Sequence, residues 1–257
     1  MPDILGATLR SLAFLTRLPP VSAAFTGDHP LGRDAYAFPL AGLVAAAPSA
    51  VSVLILCALD LSPPTVAIIA IALLVGITGA LHEDGLGDVA DGLGGHHTKA
   101  RALAIMKDSR IGAYGALALV ISLLLRVSLL ADLIGAGAGQ ATLALLVVAA
   151  ASRGAMAWLW SSLPSASGSG VAARVGQPSV PTGRVAGGLG AALLVFGGLI
   201  VAGLAGALLP LLLGLLILGQ LRKFLMRRLG GQTGDCLGAA QQLTEIAALL
   251  GFALALS

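Results

Sequence analysis

Long uninterrupted apolar runs fix the solvent in which this chain folds before any motif is considered. Seven segments, roughly 37–59, 64–82, 110–131, 141–161, 185–204, 207–222 and 237–255, approach the ~20 apolar residues a helix needs to cross a bilayer. Charged residues make up only 11% of the chain and its mean hydropathy is +0.97, which no soluble core of this size requires. The expected architecture is an all-α, polytopic transmembrane helical bundle forming one domain over residues 1–257. Pro63 and Pro64 force the first tight turn, because neither ring can donate a helical hydrogen bond. Between 185 and 220 two descriptions compete: a hairpin of two short spans turning near Gly206 and Pro210, or one long kinked helix. The 35 glycines suit close helix–helix approach in lipid. No apolar run ends in a small-residue cleavage site near the N-terminus, so no cleaved signal peptide is expected. Two cysteines give no disulfide framework, and Cys57, inside a span, reads as an inert thiol.

Basic residues orient the bundle. Arg10, Arg17 and Arg33 precede the first span, and Lys99, Arg101, Lys107 and Arg110 follow the second. Arg174 and Arg184 follow the fourth, and Arg222, Lys223, Arg227 and Arg228 follow the sixth, whereas the opposite loops carry only Asp60 and Asp132. The positive-inside rule then places the N-terminus and the long loops in the cytoplasm. This asymmetry accounts for the net charge of +3, and no basic patch with interleaved aromatics argues for a nucleic-acid partner. Two arginines fall within spans. Arg126 is expected to snorkel to the far interface, while Arg153 reads equally as a functional group or as a buried ion-pair partner. Trp158 and Trp160 read as interface anchors. Residues 3–18 form an expected surface helix with Leu5, Leu9, Leu12 and Leu15 on one face.

Against this apolar background, residues 82–92 hold His82, Glu83, Asp84, Asp88 and Asp91. On a helix the three aspartates fall at i, i+4 and i+7, along one stripe. Like charges at that spacing repel, so the stripe calls for a divalent cation. Glycines 85, 87 and 92 beside the carboxylates permit close approach of a phosphate or a neighbouring helix. His96 and His97 read as loop residues, since adjacent positions cannot share one helix face. A second segment, residues 101–115, ends a short interfacial helix in Lys107, Asp108, Ser109 and Arg110 at the mouth of the third span. A lysine, a serine and a forked guanidinium so close together can grip phosphate oxygens, and Asp108 offers a fourth metal ligand. A third segment, Gly230-Gly-Gln-Thr-Gly-Asp235, is a glycine-rich turn feeding a helix N-terminus, a geometry suited to anions. Asp235 there reads either as a plain N-cap or as a group bridged to phosphate by a cation.

Taken in order along the chain, these segments resemble the cobalamin synthase family, the adenosylcobinamide-GDP ribazoletransferases. Residues 14–19 (Phe-Leu-Thr-Arg-Leu-Pro) resemble its opening, and 82–92 its His-x-Asp-Gly-Leu-x-Asp-x-x-Asp-Gly motif. Residues 105–112 and 230–235 resemble its later motifs, and Ser152-Arg153-Gly154 also fits. Glu83 departs from the family pattern, where an apolar or aromatic residue is expected, as does Gly87, where alanine is usual. The resemblance implies a Mg²⁺-dependent transferase in a bacterial inner membrane. It would join α-ribazole or its 5′-phosphate to adenosylcobinamide-GDP, release GMP, and so close the nucleotide loop of cobalamin. Asp84, Asp88, Asp91 and Asp108 are then the expected metal ligands, with His82 or one of the aspartates as general base. Lys107, Ser109, Arg110, Arg153, Gln232, Thr233 and Asp235 are the expected substrate contacts.

Two other functions share parts of this chemistry. A CDP-alcohol-type membrane phosphotransferase also clusters aspartates on helices, but its Asp-Gly-x-x-Ala-Arg pattern is missing after both Asp84-Gly85 and Asp91-Gly92. A cation transporter would place the acids at mid-bilayer in facing broken helices. The oligomeric state is left open by the sequence.

Overall fold

Proline and left-handed residues cut the apolar runs into helices. The computed structural model describes residues 3–25, 29–95, 98–167 and 175–257; His96, His97 and Arg174 lie outside the described residues. Helix α1 spans Ile4–Leu15, capped by the Asp3 carboxylate, which accepts from the Gly6 amide. After a short turn of helix, α2 (Leu31–Asp34), comes α3 (Phe38–Ala58), then α4 (Pro63–Thr78), which starts at the proline pair. Gly79 and Ala80 both take left-handed backbone (φ 64° and 56°), and they end α4 before Leu81 begins α5 (Leu81–Leu93). The two helices meet at 88°, so the acidic helix turns across the end of the bundle instead of continuing the span to residue 82. Helix α6 (Lys99–Met106) leads to α7 (Ala113–Ala136), which reverses at Gly137 into α8 (Ala138–Ser162). The last helices are α9 (Val180–Leu229) and α10 (Gly234–Leu256).

Helix α9 resolves the open question between hairpin and kink. Its 50 residues exceed any bilayer crossing, and Ala202 and Gly203 leave helical geometry. Gly198 and Gly206 press against each other so closely that a Cβ on either would overlap the other's carbonyl oxygen. In one continuous helix those residues would sit about 12 Å apart. The segment is therefore a hairpin with limbs 180–201 and 204–229, turning four residues earlier than Gly206–Pro210 suggested. Among the described residues, five helices are long and apolar enough to cross a membrane. Dividing α9 and adding α4 reaches the seven expected spans. Large apolar side chains such as Leu124, Phe196 and Leu204 point outward, as the surface of a bundle in lipid requires.

Two apolar clusters fill the interior. One surrounds Phe38, Leu86, Val89, Met106, Trp160, Leu225 and Leu237; the other surrounds Val53, Ile71, Leu130, Leu145, Leu249 and Phe252. Between them on α10 lie Gln241, Gln242 and Glu245, which meet Glu83 of α5, Arg126 and Ser122 of α7, and Ser152 and Arg153 of α8. This layer corrects two expectations. Arg126 does not snorkel: it is 1% exposed, with its NH1 2.7 Å from Glu83 Oε1 and its Nε 2.8 Å from Glu245 Oε1. Two carboxylates within ion-pair distance compensate the guanidinium where it is buried, which an unpaired buried charge would lack. Trp160 is no interface anchor, since it is buried against Phe38 at 6.2 Å between ring centroids. In the N-terminal helix, Leu15 is buried and Leu5 exposed, and Arg10 is fixed by Asp34 at 2.7 Å, so its charge is compensated within the fold.

Candidate functional site

Helix α5 carries the acidic stripe to a cavity of about 320 Å³ between itself, the loop after α6 and the start of α7. Asp84, Gly87 and Asp88 line one wall, and Lys107, Asp108, Ser109 and Arg110 line the other. Two of the three segments singled out by sequence thus meet around one space. The third approaches through Asp235, whose backbone packs so closely on Gly85 that a Cβ there would collide with it. Gly238 similarly seats α10 on the backbone of His82. These glycines let the first turns of α5 and α10 cross at backbone distance.

Electrostatics distinguish the aspartates. Burial, and then the carboxylates of Asp84, Asp235 and Asp91, push the Asp88 carboxyl up to about 7. Asp108 behaves oppositely: its hydrogen bonds from Arg110 hold it down at about 2.

Asp91, the third member of the stripe, is outside the cavity lining. Its Oδ2 accepts from the Gly112 amide at 2.7 Å and its Oδ1 from the Gly115 amide at 2.8 Å. It thereby caps α7 from another helix, satisfying amides that a helix start leaves unpaired. A Cβ at either glycine would run into the carboxylate, which explains the glycines of the Ile-Gly-Ala-Tyr-Gly stretch. Sequence reasoning missed this role because the partners lie more than twenty positions away.

Other expected site residues are engaged by a neighbour or lie away from the cavity. Asp108 faces Arg110, whose Nε and NH2 lie 3.0 Å and 2.6 Å from its two oxygens, so both its oxygens are engaged by a guanidinium. Arg110 itself is 86% exposed at the cavity rim, where it can swing toward a ligand. His82 is 2% exposed and is not among the residues that line the cavity. Arg153, 1% exposed, donates to the Ala149 carbonyl and lies 3.9 Å from Glu245, inside the polar layer and not on the cavity lining. Gln232 is buried, and its backbone pairs with Pro164 and Ala166. Thr233, not Asp235, is the N-cap of α10, accepting from the Cys236 amide. Glu83 belongs to the polar layer with Arg126 and not to the cavity.

Among the described residues, no three His, Cys, Asp or Glu side chains form a ready metal shell. The donor set still suits Mg²⁺, which is commonly held by one or two carboxylates and completed by water and substrate phosphate. Asp84 and Asp88 supply such a pair, and their mutual repulsion marks the place where a divalent ion would relieve it.

A family model described as cobalamin-5-phosphate synthase matches residues 7–253. Two proteins named adenosylcobinamide-GDP ribazoletransferase, from Brucella ovis and Brucella canis, are each 48% identical over 255 residues, covering 98% of this chain and 98% of their own. No solved structure matches the chain.

Proposed function

The chain belongs to the cobalamin-5-phosphate synthase family, and from that premise we propose that it transfers the cobinamide phosphate of adenosylcobinamide-GDP to α-ribazole or α-ribazole 5′-phosphate. The observation that carries this is the meeting of Asp84 and Asp88 with Lys107, Ser109 and Arg110 around one cavity. Acids that would hold a cation, facing bases that fit phosphate oxygens, suit a diphosphate substrate.

A ribose hydroxyl of the ribazole attacks the phosphorus on the cobinamide side. A new P–O bond forms, the bond to the bridging oxygen breaks, and GMP leaves with that oxygen. Asp84 and Asp88 would hold the ion, which when bound supplies charge neutralisation on the diphosphate. Lys107 and Arg110 stabilise the negative charge gathering on the departing GMP, and the Ser109 hydroxyl donates to a non-bridging oxygen. Arg110 must release Asp108 to do so, and an exposed pair gives it up at little cost. The hydroxyl proton passes to a cavity carboxylate, since His82 is enclosed. The diphosphate of adenosylcobinamide-GDP is strongly charged, which suits a cavity at the bundle end that carries the long basic loops. We assign that end to the cytoplasmic face of a bacterial inner membrane.

Incubation of purified protein with adenosylcobinamide-GDP, α-ribazole and Mg²⁺ is expected to release GMP in step with corrinoid product, and EDTA is expected to stop it. No GMP release, or release that ignores EDTA, would overturn the assignment.

A further inference from the structure

Adjacent residues of α5 face opposite environments. Asp84 lines the cavity, whereas the Glu83 side chain enters the bundle. There its Oε1 accepts from Arg126 NH1 at 2.7 Å and from Gln242 Nε2 at 3.0 Å, so donors on α7 and α10 converge on one oxygen. Those donors are themselves fixed. Gln242 Oε1 accepts from Ser122 at 3.0 Å and from Arg126 at 3.2 Å, and Arg126 Nε lies 2.8 Å from Glu245. Glu245 is in turn held by Gln241, which also donates to Ser152 of α8. Three other helices, α7, α8 and α10, are thereby tied to the residue that precedes Asp84.

At the crossing of α5 on α10, Gly85 and Gly238 bring the backbones together, and Leu86 and Val89 share an apolar cluster with Cys236 and Leu237; apolar packing is non-directional, whereas the hydrogen bonds to Glu83 fix a direction. We propose that Glu83 and Arg126 are positioning residues for the cation-binding carboxylates. Their ion pair sets the rotation and depth of α5 against α10, and with it the placement of Asp84 and Asp88 relative to Asp235. The inference rests on the cation assignment made above. It gives the buried charges a task beyond holding the bundle together, because a one-residue lever joins them to the cavity wall.

The test is Mn²⁺ binding to the purified, substrate-free full chain, followed by electron paramagnetic resonance. Wild type is expected to bind Mn²⁺, and Asp88→Asn to lose most of that affinity. Glu83→Gln, in protein shown by circular dichroism and gel filtration to be folded, is expected to weaken Mn²⁺ by about 10- to 100-fold, the usual effect of removing an outer support of a metal ligand. The Mg²⁺ concentration for half-maximal turnover should rise by the same factor while the KM for α-ribazole stays unchanged. Arg126→Lys keeps the interior charge balance but loses the planar fork, and serves where Glu83→Gln does not accumulate. Folded variants that bind Mn²⁺ as wild type does would overturn the positioning role and leave the cation assignment intact. Failure of wild type to bind, or Asp88→Asn binding normally, would instead sink the cation assignment and this inference with it.

Discussion

Two sets of carboxylates meet on α5, where Glu83 and Asp84 are neighbours in the chain, and the fold treats them in opposite ways. Glu83 and Glu245 are withdrawn into the bundle and matched by Arg126 and Arg153, two acids against two bases. Asp84 and Asp88 stand at a cavity wall with Asp235 nearby, and burial together with their repulsion pushes Asp88 up to about 7. In the first set compensation is internal, and the charges hold helices together. In the second the protein leaves compensation to something that arrives. A membrane protein so poor in charge makes this difference easy to see, because ionisable groups inside such bundles are costly and tend to be either paired or functional.

The sharpest way to break the contrast is to unbalance the buried set. Arg126→Met leaves Glu83 and Glu245 without their closest base in an environment that penalises charge. Loss of one partner of a buried pair costs about 3–5 kcal/mol, so the variant is expected to accumulate poorly and unfold far below wild type in detergent. A melting temperature close to wild type would show that Arg126 contributes little to the fold.

Removing a charge from the open set should do the reverse. Asp88→Asn relieves repulsion, so the metal-free protein is expected to be at least as stable as wild type by thermal unfolding. Turnover should nonetheless fall by about 10²–10³, as when a group that stabilises transition-state charge is lost. A variant both inactive and unstable would assign Asp88 to the scaffold.

Cation binding offers an intermediate effect. At a Mg²⁺ concentration of 100 Kd the wild type should gain about 2.7 kcal/mol against unfolding, and Asp88→Asn should gain almost none. The carboxyl holds its proton below about 7 and must lose it to bind the ion. The Mg²⁺ increment is therefore expected to be larger at pH 8 than at pH 6; an increment independent of both pH and Asp88 would place the ion elsewhere.

How much of this was legible in the sequence depends on the range of the interaction. The spans were legible because hydropathy is a local sum, and so was the helix carrying Asp84 and Asp88. The hairpin within Val180–Leu229 was ambiguous because its turn is made by Ala202 and Gly203, inside an apolar run with no polar break. Arg126 and Arg153 were visible as charges in spans, yet their partners Glu83 and Glu245 lie on helices whose packing no periodicity reveals. Trp160 followed the general preference of tryptophan for interfaces, which a stacking partner at Phe38 overrode. The 230–235 turn looked like an anion site, but Thr233 takes the capping role and Gln232 is buried. A glycine-rich turn before a helix specifies geometry, not which groups remain available.

Asp91 gives the smallest and most discriminating effect. By spacing alone it is equivalent to Asp84 and Asp88; in the structure it caps α7 through the Gly112 and Gly115 amides. Asp91→Asn keeps one acceptor oxygen and replaces the other with a donor that faces an amide. It is expected to cost about 1 kcal/mol of stability, the usual scale of a lost helix cap. Because the cap also anchors the loop that carries Lys107 to Arg110, turnover should drop modestly, through the KM for adenosylcobinamide-GDP more than through kcat. Mn²⁺ affinity should stay near wild type. If Asp91→Asn is instead as inactive as Asp88→Asn and loses Mn²⁺ equally, Asp91 belongs with the cation, and the division between compensated and uncompensated acids has to be drawn after residue 91 instead of before it.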